Sequence, residues 1–587
     1  MDDGPTALAL PSEIWNQIFD LASDEDVIFQ YGLPTVMAES AWFKNPFGEW
    51  TLRSPQEAIN LVQRRAYFTK KSIRSTCRAF RQIGAEFMYR CLFFNDPARL
   101  QKLSDALDAS ATIATTKTKS IGWWSRRLHL TRYYANTNRG LTMMDMERAL
   151  INVIKHCPNL EIFIIDWSLG DTFGPVADAL ATYACRSLRT VRWIVPSSEM
   201  HKVIWALDCL PNIIAAHIEF EPPTEEDSDN VVVLGSASDI NLTLPCLQQL
   251  VVRGNIQEFL EQATGWTLPS LRSLSIDCGN NRTDQPDVVQ FLTRHGARLL
   301  FLDLQCIPPL DMPRILHLAP ALKTLCFNGD WRLPYEHGLA DTPTSTLVLR
   351  PHENIETVGL HGLMYAFGVG YAAAYASVEP LRAHLVRRSN DMNVAALNKL
   401  YFPRLQRVRA LSRSMLIDLN REDGPSVEEG GIERWEKWYG TLERIGVRLE
   451  DCTGQLLGTL PQDEDEAEDE EESEGSSSDE EEEISWEYQV PPIEEEEDED
   501  EEDAPSGGVA ELRKLLDECR AMGETREPPM FAGIMADFAA MYPGLPAASP
   551  SGEQAATAAS PAAEGAAPAV AADPGPVAAA PESAPSQ

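Results

Sequence analysis

The sequence predicts an α/β protein with a helical N-terminal domain, a repetitive array of short strands and helices, and an acidic C-terminal tail. Three observations support this prediction. Apolar residues near the start recur at helical spacing, a turn-and-strand unit recurs through the middle, and carboxylates dominate one late stretch. At 587 residues the chain is longer than one ordinary domain.

The N-terminal domain is expected over residues 1–94 and opens with the amphipathic stretch LPSEIWNQIFDLA. Its apolar residues lie on one helical face: Leu10, Ile14, Ile18 and Leu21. A second amphipathic stretch follows about fifty residues later. Its apolar residues are Ile73, Cys77, Phe80, Ile83, Phe87 and Cys91. Each stretch alone is equally typical of an ordinary helical hairpin.

Together, the two stretches resemble an F-box. The matching residues are Leu10, Pro11, Glu13, Ile14, Ile18 and Phe19, then Cys77, Arg78, Phe80, Arg81, Ile83 and Tyr89. The resemblance implies binding to the Skp adaptor subunit of a cullin-type ubiquitin ligase. The partner-binding residues that it implies are Leu10, Pro11, Glu13, Ile14, Ile18 and Phe19, with Ile73, Phe80 and Ile83 supporting the hairpin.

An insertion over residues 24–70 separates the two halves of this motif, which is usually compact. The entropic cost of closing a loop grows only logarithmically with its length, so the halves can still pack together. Tryptophan and phenylalanine residues in the insertion indicate that it folds against another part of the protein. The expansion is similar to one found in F-box proteins of mushroom-forming fungi.

Residues 120–415 contain a recurring unit of the form Pro-x-Leu-x-x-Leu-x-Ile, as in LPCLQQLVV and LPSLRSLSI. The anchoring residues are Leu160, Leu188, Ile213, Leu247, Leu271, Leu299, Leu322, Ile355 and Leu405. Most gaps between them span 23 to 34 residues, which resembles a degenerate leucine-rich-repeat solenoid. A doubly wound sheet is the alternative, since it also alternates strands and helices.

A capping helix is expected within residues 430–452, where IERWEKWYGTLERIGVRL is strongly amphipathic. The remaining chain, residues 460–587, is expected to be disordered. Residues 463–503 hold 26 Asp and Glu and no Lys or Arg. Acidic residues follow three of four nearby serines at the spacing that acidophilic kinases prefer. The expected phosphorylation sites are Ser473, Ser476, Ser477 and Ser478.

The sequence favours a non-catalytic binding protein without metal or cofactor, because no catalytic motif or paired cysteine spacing is present. Neither a nucleic acid nor a membrane is an expected partner: residues 1–462 carry a net charge of −7, and no apolar run reaches spanning length. A cytoplasmic or nuclear location follows from the scattered cysteines. The function implied by the resemblance is a receptor that presents an unknown client protein. The alternative is an acidic-tailed chaperone for basic clients, unrelated to ubiquitin.

Overall fold

The structure is a computed structural model that describes residues 10–461 apart from nine short stretches. Those stretches are residues 24–25, 46, 95–97, 115–118, 132–141, 222–233, 279–287, 306–310 and 332–346. The tail, including its four predicted phosphorylation sites, lies outside the described residues.

The described residues form a series of helices and strands. The helices are α1 (Ser12–Ser23), α2 (Pro55–Thr76), α3 (Arg78–Ile83), α4 (Ala85–Arg90), α5 (Ala98–Ile113), α6 (Met143–His156), α7 (Phe173–Tyr183), α8 (Met200–Asp208), α9 (Gln257–Thr264), α10 (Val288–His295), α11 (Met312–Leu318), α12 (Met364–Phe367), α13 (Tyr371–Val378), α14 (Pro380–Ala396), α15 (Arg413–Arg421) and α16 (Gly431–Arg444). The strands are β1 (Ala41–Lys44), β2 (Trp50–Arg53), β3 (Cys91–Phe94), β4 (Arg127–Leu130), β5 (Ile162–Ser168), β6 (Thr190–Pro196), β7 (Ala215–Glu221), β8 (Gln249–Gly254), β9 (Ser273–Asp277), β10 (Phe301–Leu304), β11 (Thr324–Asn328), β12 (Thr357–His361), β13 (Arg407–Ala410) and β14 (Arg448–Glu450).

One parallel sheet contains the twelve strands β3 to β14, and each strand is hydrogen-bonded to its neighbours in the chain. The strand order therefore follows the sequence from one edge to the other. A doubly wound sheet reverses its order at a switch point, and this sheet does not. Strands β1 and β2 form a separate antiparallel hairpin.

One face of the sheet is apolar and packs into a continuous core with the helices. Side chains alternate between the two faces of a strand, and the strand register aligns apolar residues across the sheet. Leu274, Leu302, Leu325 and Val358 lie side by side in this way and are fully buried. Helical residues such as Val153 belong to the same core. The recurring leucines of the sequence are therefore the core of this stack.

The opposite face, here called the inner face, carries polar side chains in the same register. Its buried polar residues include His129, His217, Ser275, Asp303, Arg409 and Glu450. A sheet face that is both polar and buried needs hydrogen-bonding partners for these groups.

The sheet extends beyond the predicted limits at both ends. Strand β3 lies within residues 1–94, which the sequence assigns to the helical domain, and β14 lies within the segment predicted as a capping helix. Helix α16 ends at Arg444, and Leu449, the last residue of the amphipathic stretch, belongs to β14. Gly446 has φ +67°, a left-handed conformation that ends the helix before the last strand.

A test of the packing uses Gly254, at the end of β8, and Gly446 as its matched control. Both have a positive φ, so alanine at either site should cost about 1 kcal/mol in backbone strain. At Gly254 a Cβ would also lie 1.9 Å from the carbonyl oxygen of Phe220, whereas the space around Gly446 is open. We expect Gly254→Ala to lower the free energy of unfolding by about 1–3 kcal/mol more than Gly446→Ala. Equal losses in chemical denaturation would contradict this packing.

Candidate partner-binding site

The two halves of the N-terminal motif pack together through aromatic side chains. The ring centre of Phe80 on α3 lies 4.5 Å from that of Trp15 and 5.0 Å from that of Phe19, both on α1. Phe19 also contacts Phe87 on α4 in an edge-to-face arrangement. Edge-to-face pairs are favourable beyond the area that they bury. Helices α1, α3 and α4 therefore form one unit, here called the knob, despite the long insertion between them.

The outer face of α1 carries an exposed apolar stripe made of Leu10, Ile14, Ile18 and Leu21, here called the α1 stripe. Ile14 and Ile18 are each 39% exposed, and Leu21 is 87% exposed. The 3.6-residue helical period separates these residues from the buried Phe19 on the opposite face. A contiguous exposed stripe of this kind is typical of a site for another protein.

The predicted partner-binding residues divide between surface and interior. Pro11, directly before α1, and Glu13, in its first turn, are both exposed. Phe19, predicted to contact a partner, is only 3% exposed and instead joins α1 to the rest of the knob. Phe80 and Ile83 are half-buried on α3.

Ile73 lies on a different helix from the other residues of the second half. It is half-buried near the end of α2, which stops at Thr76. Cys77 then adopts an extended conformation and caps α3, its sulfur accepting a hydrogen bond from the amide of Phe80 at 3.4 Å. The residues of the second stretch therefore lie on α2, α3, α4 and the start of β3, where their single helical periodicity predicts one helix.

Exposed aromatic residues on α2 were missed by the sequence analysis. Tyr67 and Phe68 are both exposed, and α2 contacts α1 directly. In the sequence they stand side by side in a stretch rich in Lys and Arg. Their exposure in the structure is what indicates a surface role. They add apolar surface on the helix beside the knob.

A cleft lies between the knob and the first strands of the sheet, with Trp123 and Trp124 among its lining residues. Its charged groups are paired with one another: Arg90 with Asp20 and Glu86, and Arg126 with Glu161. The first set of pairs lies within the knob and the second lies beside β4 and β5, so no free acid–base couple remains among these groups.

A strap, residues 28–40 of the insertion, crosses the inner face of the sheet. The Arg127 side chain on β4 donates to the carbonyl oxygen of Ile28 at 2.6 Å. Thr190 on β6 donates to the carbonyl of Tyr31 at 2.6 Å, and the Tyr31 hydroxyl donates to Glu161 at 2.9 Å. The first half of the strap is thus held over β4 to β6.

The second half of the strap continues toward the last strands. Gln249 on β8 accepts from the amide of Leu33 at 2.8 Å and donates to its carbonyl at 2.9 Å. Arg409 on β13 donates to the carbonyl of Met37 at 2.8 Å and to the Glu39 carboxylate at 3.2 Å. The Ser40 amide then donates to the Cys452 carbonyl, beyond β14.

The strap is long enough to cross most of the width of the sheet. Its twelve peptide units from residue 28 to 40 reach about 43 Å at most, and a turn from Thr35 to Ala38 shortens them further. Ten strand spacings, from β4 to β14, measure about 48 Å along a sheet. An extended segment of this length therefore reaches across most of the inner face.

The insertion returns to the knob through α2. The hairpin of β1 and β2 follows the strap, and β2 contacts α15, which connects β13 to the last part of the sheet domain. Helix α2 starts with a capping box between Ser54 and Glu57. Gln63, one-third along α2, contacts His129 Nδ1 at 3.2 Å and accepts from Cys91 at 3.2 Å. The insertion thus runs to the far end of the sheet and back.

Ionic and hydrogen-bonded groups continue along the inner face. His129 Nε2 contacts Asp166 at 3.1 Å, and the same carboxylate pairs with Arg192. Further along, Ser275 donates to Asp303 at 2.6 Å, and His361 Nε2 lies 2.8 Å from the other oxygen of Asp303. In this second cluster the carboxylate separates serine from histidine, so the imidazole is not placed to activate the serine as a nucleophile.

Burial lowers the pKa of two histidines on this face. The pKa of His129 falls because desolvation outweighs the favourable contact with Asp166. The pKa of His217 falls well below its ordinary value through desolvation, with a further contribution from the positive charges of Arg192 and Arg253. Both imidazoles are therefore neutral near pH 7.

The part of the chain that the structure describes contains neither a metal-binding cluster nor a membrane-spanning helix. There, no group of three or more His, Cys, Asp or Glu side chains is arranged to hold a metal ion. None of the helices found there is long and apolar enough to cross a membrane. Comparison with known protein families finds no family that matches the chain, and comparison with curated proteins finds no significant relative.

The lowered pKa of His217 predicts how its replacement changes acid stability. Below about pH 6.5 the unfolded chain takes up a proton at this histidine that the folded protein does not, so acidification disfavours folding. Between pH 7 and pH 5.5, acidification should lower the free energy of unfolding less steeply in His217→Gln than in the wild type. The two slopes should differ by up to about 1.4 kcal/mol per pH unit. Denaturation at several pH values measures this slope.

The control is His201→Gln, at a half-exposed histidine on α8. If the pH dependence of the free energy of unfolding changes equally in both variants, or in neither, the result would contradict the buried neutral state of His217.

Proposed function

We propose that the protein is an F-box-type substrate receptor that links client proteins to a Skp–cullin ubiquitin ligase. The single observation that carries the proposal is the α1 stripe, which remains exposed while the opposite face of α1 is packed into the knob. In this proposal the stripe binds the Skp adaptor, and the sheet with its helices is an irregular leucine-rich-repeat solenoid.

The shape of the knob supports the proposal. An adaptor-binding helix must be held rigidly from behind while its front stays apolar and accessible. Phe19 and Trp15 hold α1 from behind through Phe80, and Ile14 and Ile18 remain accessible in front. Leu10, Pro11 and Glu13 extend the same surface at the start of the helix.

Such a receptor is non-catalytic and acts through proximity. Bound simultaneously to adaptor and client, it raises the effective concentration of client lysines near the ubiquitin-charged enzyme. The strap and α2 favour this role, since they connect the knob to both ends of the sheet and so fix the distance between adaptor and client. A cytoplasmic or nuclear location belongs to the same proposal.

A second candidate function rests on the charge of the tail. The 26 acidic residues over 463–503 favour a chaperone for basic clients, in which an electrostatic field steers the client toward the protein. In this case the tail binds the client and the α1 stripe has no adaptor.

The adaptor interaction is tested with the double variant Ile14→Asp/Ile18→Asp. Two carboxylates in the α1 stripe should weaken binding to a purified Skp adaptor at least about a hundredfold, because each replaces an apolar anchor with a charge. Isothermal titration calorimetry measures the affinity, and circular dichroism checks that folding is retained.

The matched control is Leu381→Asp/Leu385→Asp, which places two carboxylates at the same spacing on exposed positions of α14. This control should bind the adaptor as the wild type does. Wild-type protein that does not bind the adaptor, or equal weakening in both variants, would refute the receptor function.

Deletion of residues 463–503 separates the two candidate functions. For a ubiquitin receptor, the deletion should leave adaptor affinity within about twofold of the wild type, since the apolar stripe carries that contact. For a chaperone, it should abolish binding to a basic probe such as purified core histones, and that binding should weaken steeply with salt. Histone binding that persists without these residues would exclude the chaperone function.

A further inference from the structure

We propose that the inner face of the sheet is a binding surface for a mostly extended peptide of a partner protein, and that the strap occupies this surface as an intramolecular competitor. The inference goes beyond the adaptor interaction and does not depend on it. It concerns Arg127, Thr190, Gln249 and Arg409, which hold the strap.

The first step of the argument is that the sheet holds the strap mainly by its backbone. The side chains of Arg127, Thr190, Gln249 and Arg409 each bond to a main-chain carbonyl, and Gln249 also accepts from a main-chain amide. Every peptide carries these groups, so a segment from another protein can satisfy the same side chains. Recognition of extended peptides commonly combines such main-chain bonds with a few side-chain contacts.

The side chains of the strap define the chemistry of the partner. Tyr31 donates its hydroxyl to Glu161 at one end, and Glu39 pairs with Arg409 at the other, eight residues later. Between them, Met37 lies against Gly359, where an added Cβ would be 2.9 Å from its sulfur. The fitting partner is therefore a mostly extended segment with a tyrosine and, about eight residues on, an acidic side chain.

The burial of the strap indicates that it can be displaced. Ile28 and Ser40 are buried and anchor its two ends, whereas every residue between them is half-buried or exposed. The middle is held by side-chain hydrogen bonds and no strand ladder, and each such bond contributes only about 1 kcal/mol. Segments with few apolar contacts open at lower free energy than core strands. The middle can therefore lift while its anchors stay in place.

Because the strap occupies the inner face, it lowers the apparent affinity of this face for a partner peptide. A tethered segment competes at an effective concentration in the millimolar range or above. The wild-type protein should therefore bind a free peptide with the sequence of the strap only weakly, and release of the strap should expose the full affinity.

The test uses a fluorescein-labelled peptide, IFQYGLPTVMAES, and the full-length protein. In one variant, residues 30–38 are replaced by a Gly/Ser sequence of equal length. This sequence keeps the anchors, but it lacks the side-chain contacts and loses more conformational entropy when it is ordered on the sheet, so it competes less strongly with the peptide. Fluorescence anisotropy should show at least about a hundredfold tighter binding to this variant than to the wild type. Adding Gln249→Ala to the variant should weaken that binding about tenfold or more, because two hydrogen bonds to the peptide are lost.

Two altered peptides serve as controls. A peptide with an N-methylated leucine at the position of Leu33 cannot donate to Gln249, so it should bind more weakly than the parent peptide. A scrambled peptide should not bind. Equal binding of parent and scrambled peptides would overturn the proposal, as would a Gly/Ser variant that is folded and does not bind the parent peptide.

Hydrogen exchange of the wild-type protein gives an independent readout if the Gly/Ser variant does not fold. Amides of residues 30–38 should exchange through local opening, far faster than those of β6 to β8. Exchange of the strap only together with these strands would show that it is an integral part of the fold and would overturn the proposal. Concentration-dependent dimers in ultracentrifugation would likewise overturn it, since they indicate exchange of straps between two copies.

Discussion

The polar side chains on the inner face of the sheet impose the constraint on which the rest of the structure depends. Arg127, Gln249 and Arg409 are buried, and a buried polar group without a partner is costly. The carbonyl groups of the strap provide these partners, from the first strands of the sheet to the last. The N-terminal insertion is therefore part of the sheet domain, although it interrupts the helical domain in the sequence.

This arrangement connects the surface that we propose for the adaptor to the body of the protein. The chain leaves the knob after α1, crosses the sheet as the strap, and returns through α2 to α3 and α4. Contacts at the far end, such as Arg409 with Glu39, and at the near end, such as Gln63 with His129, hold both arms of this path. The strap and α2 thus connect the knob to the sheet at several points, whereas a single linker would leave its orientation free.

The strands of the recurring Pro-x-Leu units could be predicted from the sequence, whereas the strap could not. Each Pro-x-Leu unit carries its own apolar alternation, so β8 and β9 follow from local pattern alone. The strap has no such period, and its partners lie as far away as Arg409, 372 residues from Met37. On α1, helical spacing identified an amphipathic segment, but only tertiary packing distinguishes the buried Phe19 from the exposed Ile18. The switch from α16 to β14 depends on Gly446, which interrupts an otherwise helical pattern.

The far anchors of the strap have a consequence for biosynthesis. Arg409 and Cys452 leave the ribosome after most of the sheet has been translated, whereas the strap that they hold emerges among the first forty residues. Until these residues are translated, the strap cannot bind the sheet along its full length. A product of premature termination before residue 409 would lack both Arg409 and Cys452, so the second half of its strap would have neither of these anchors on the sheet.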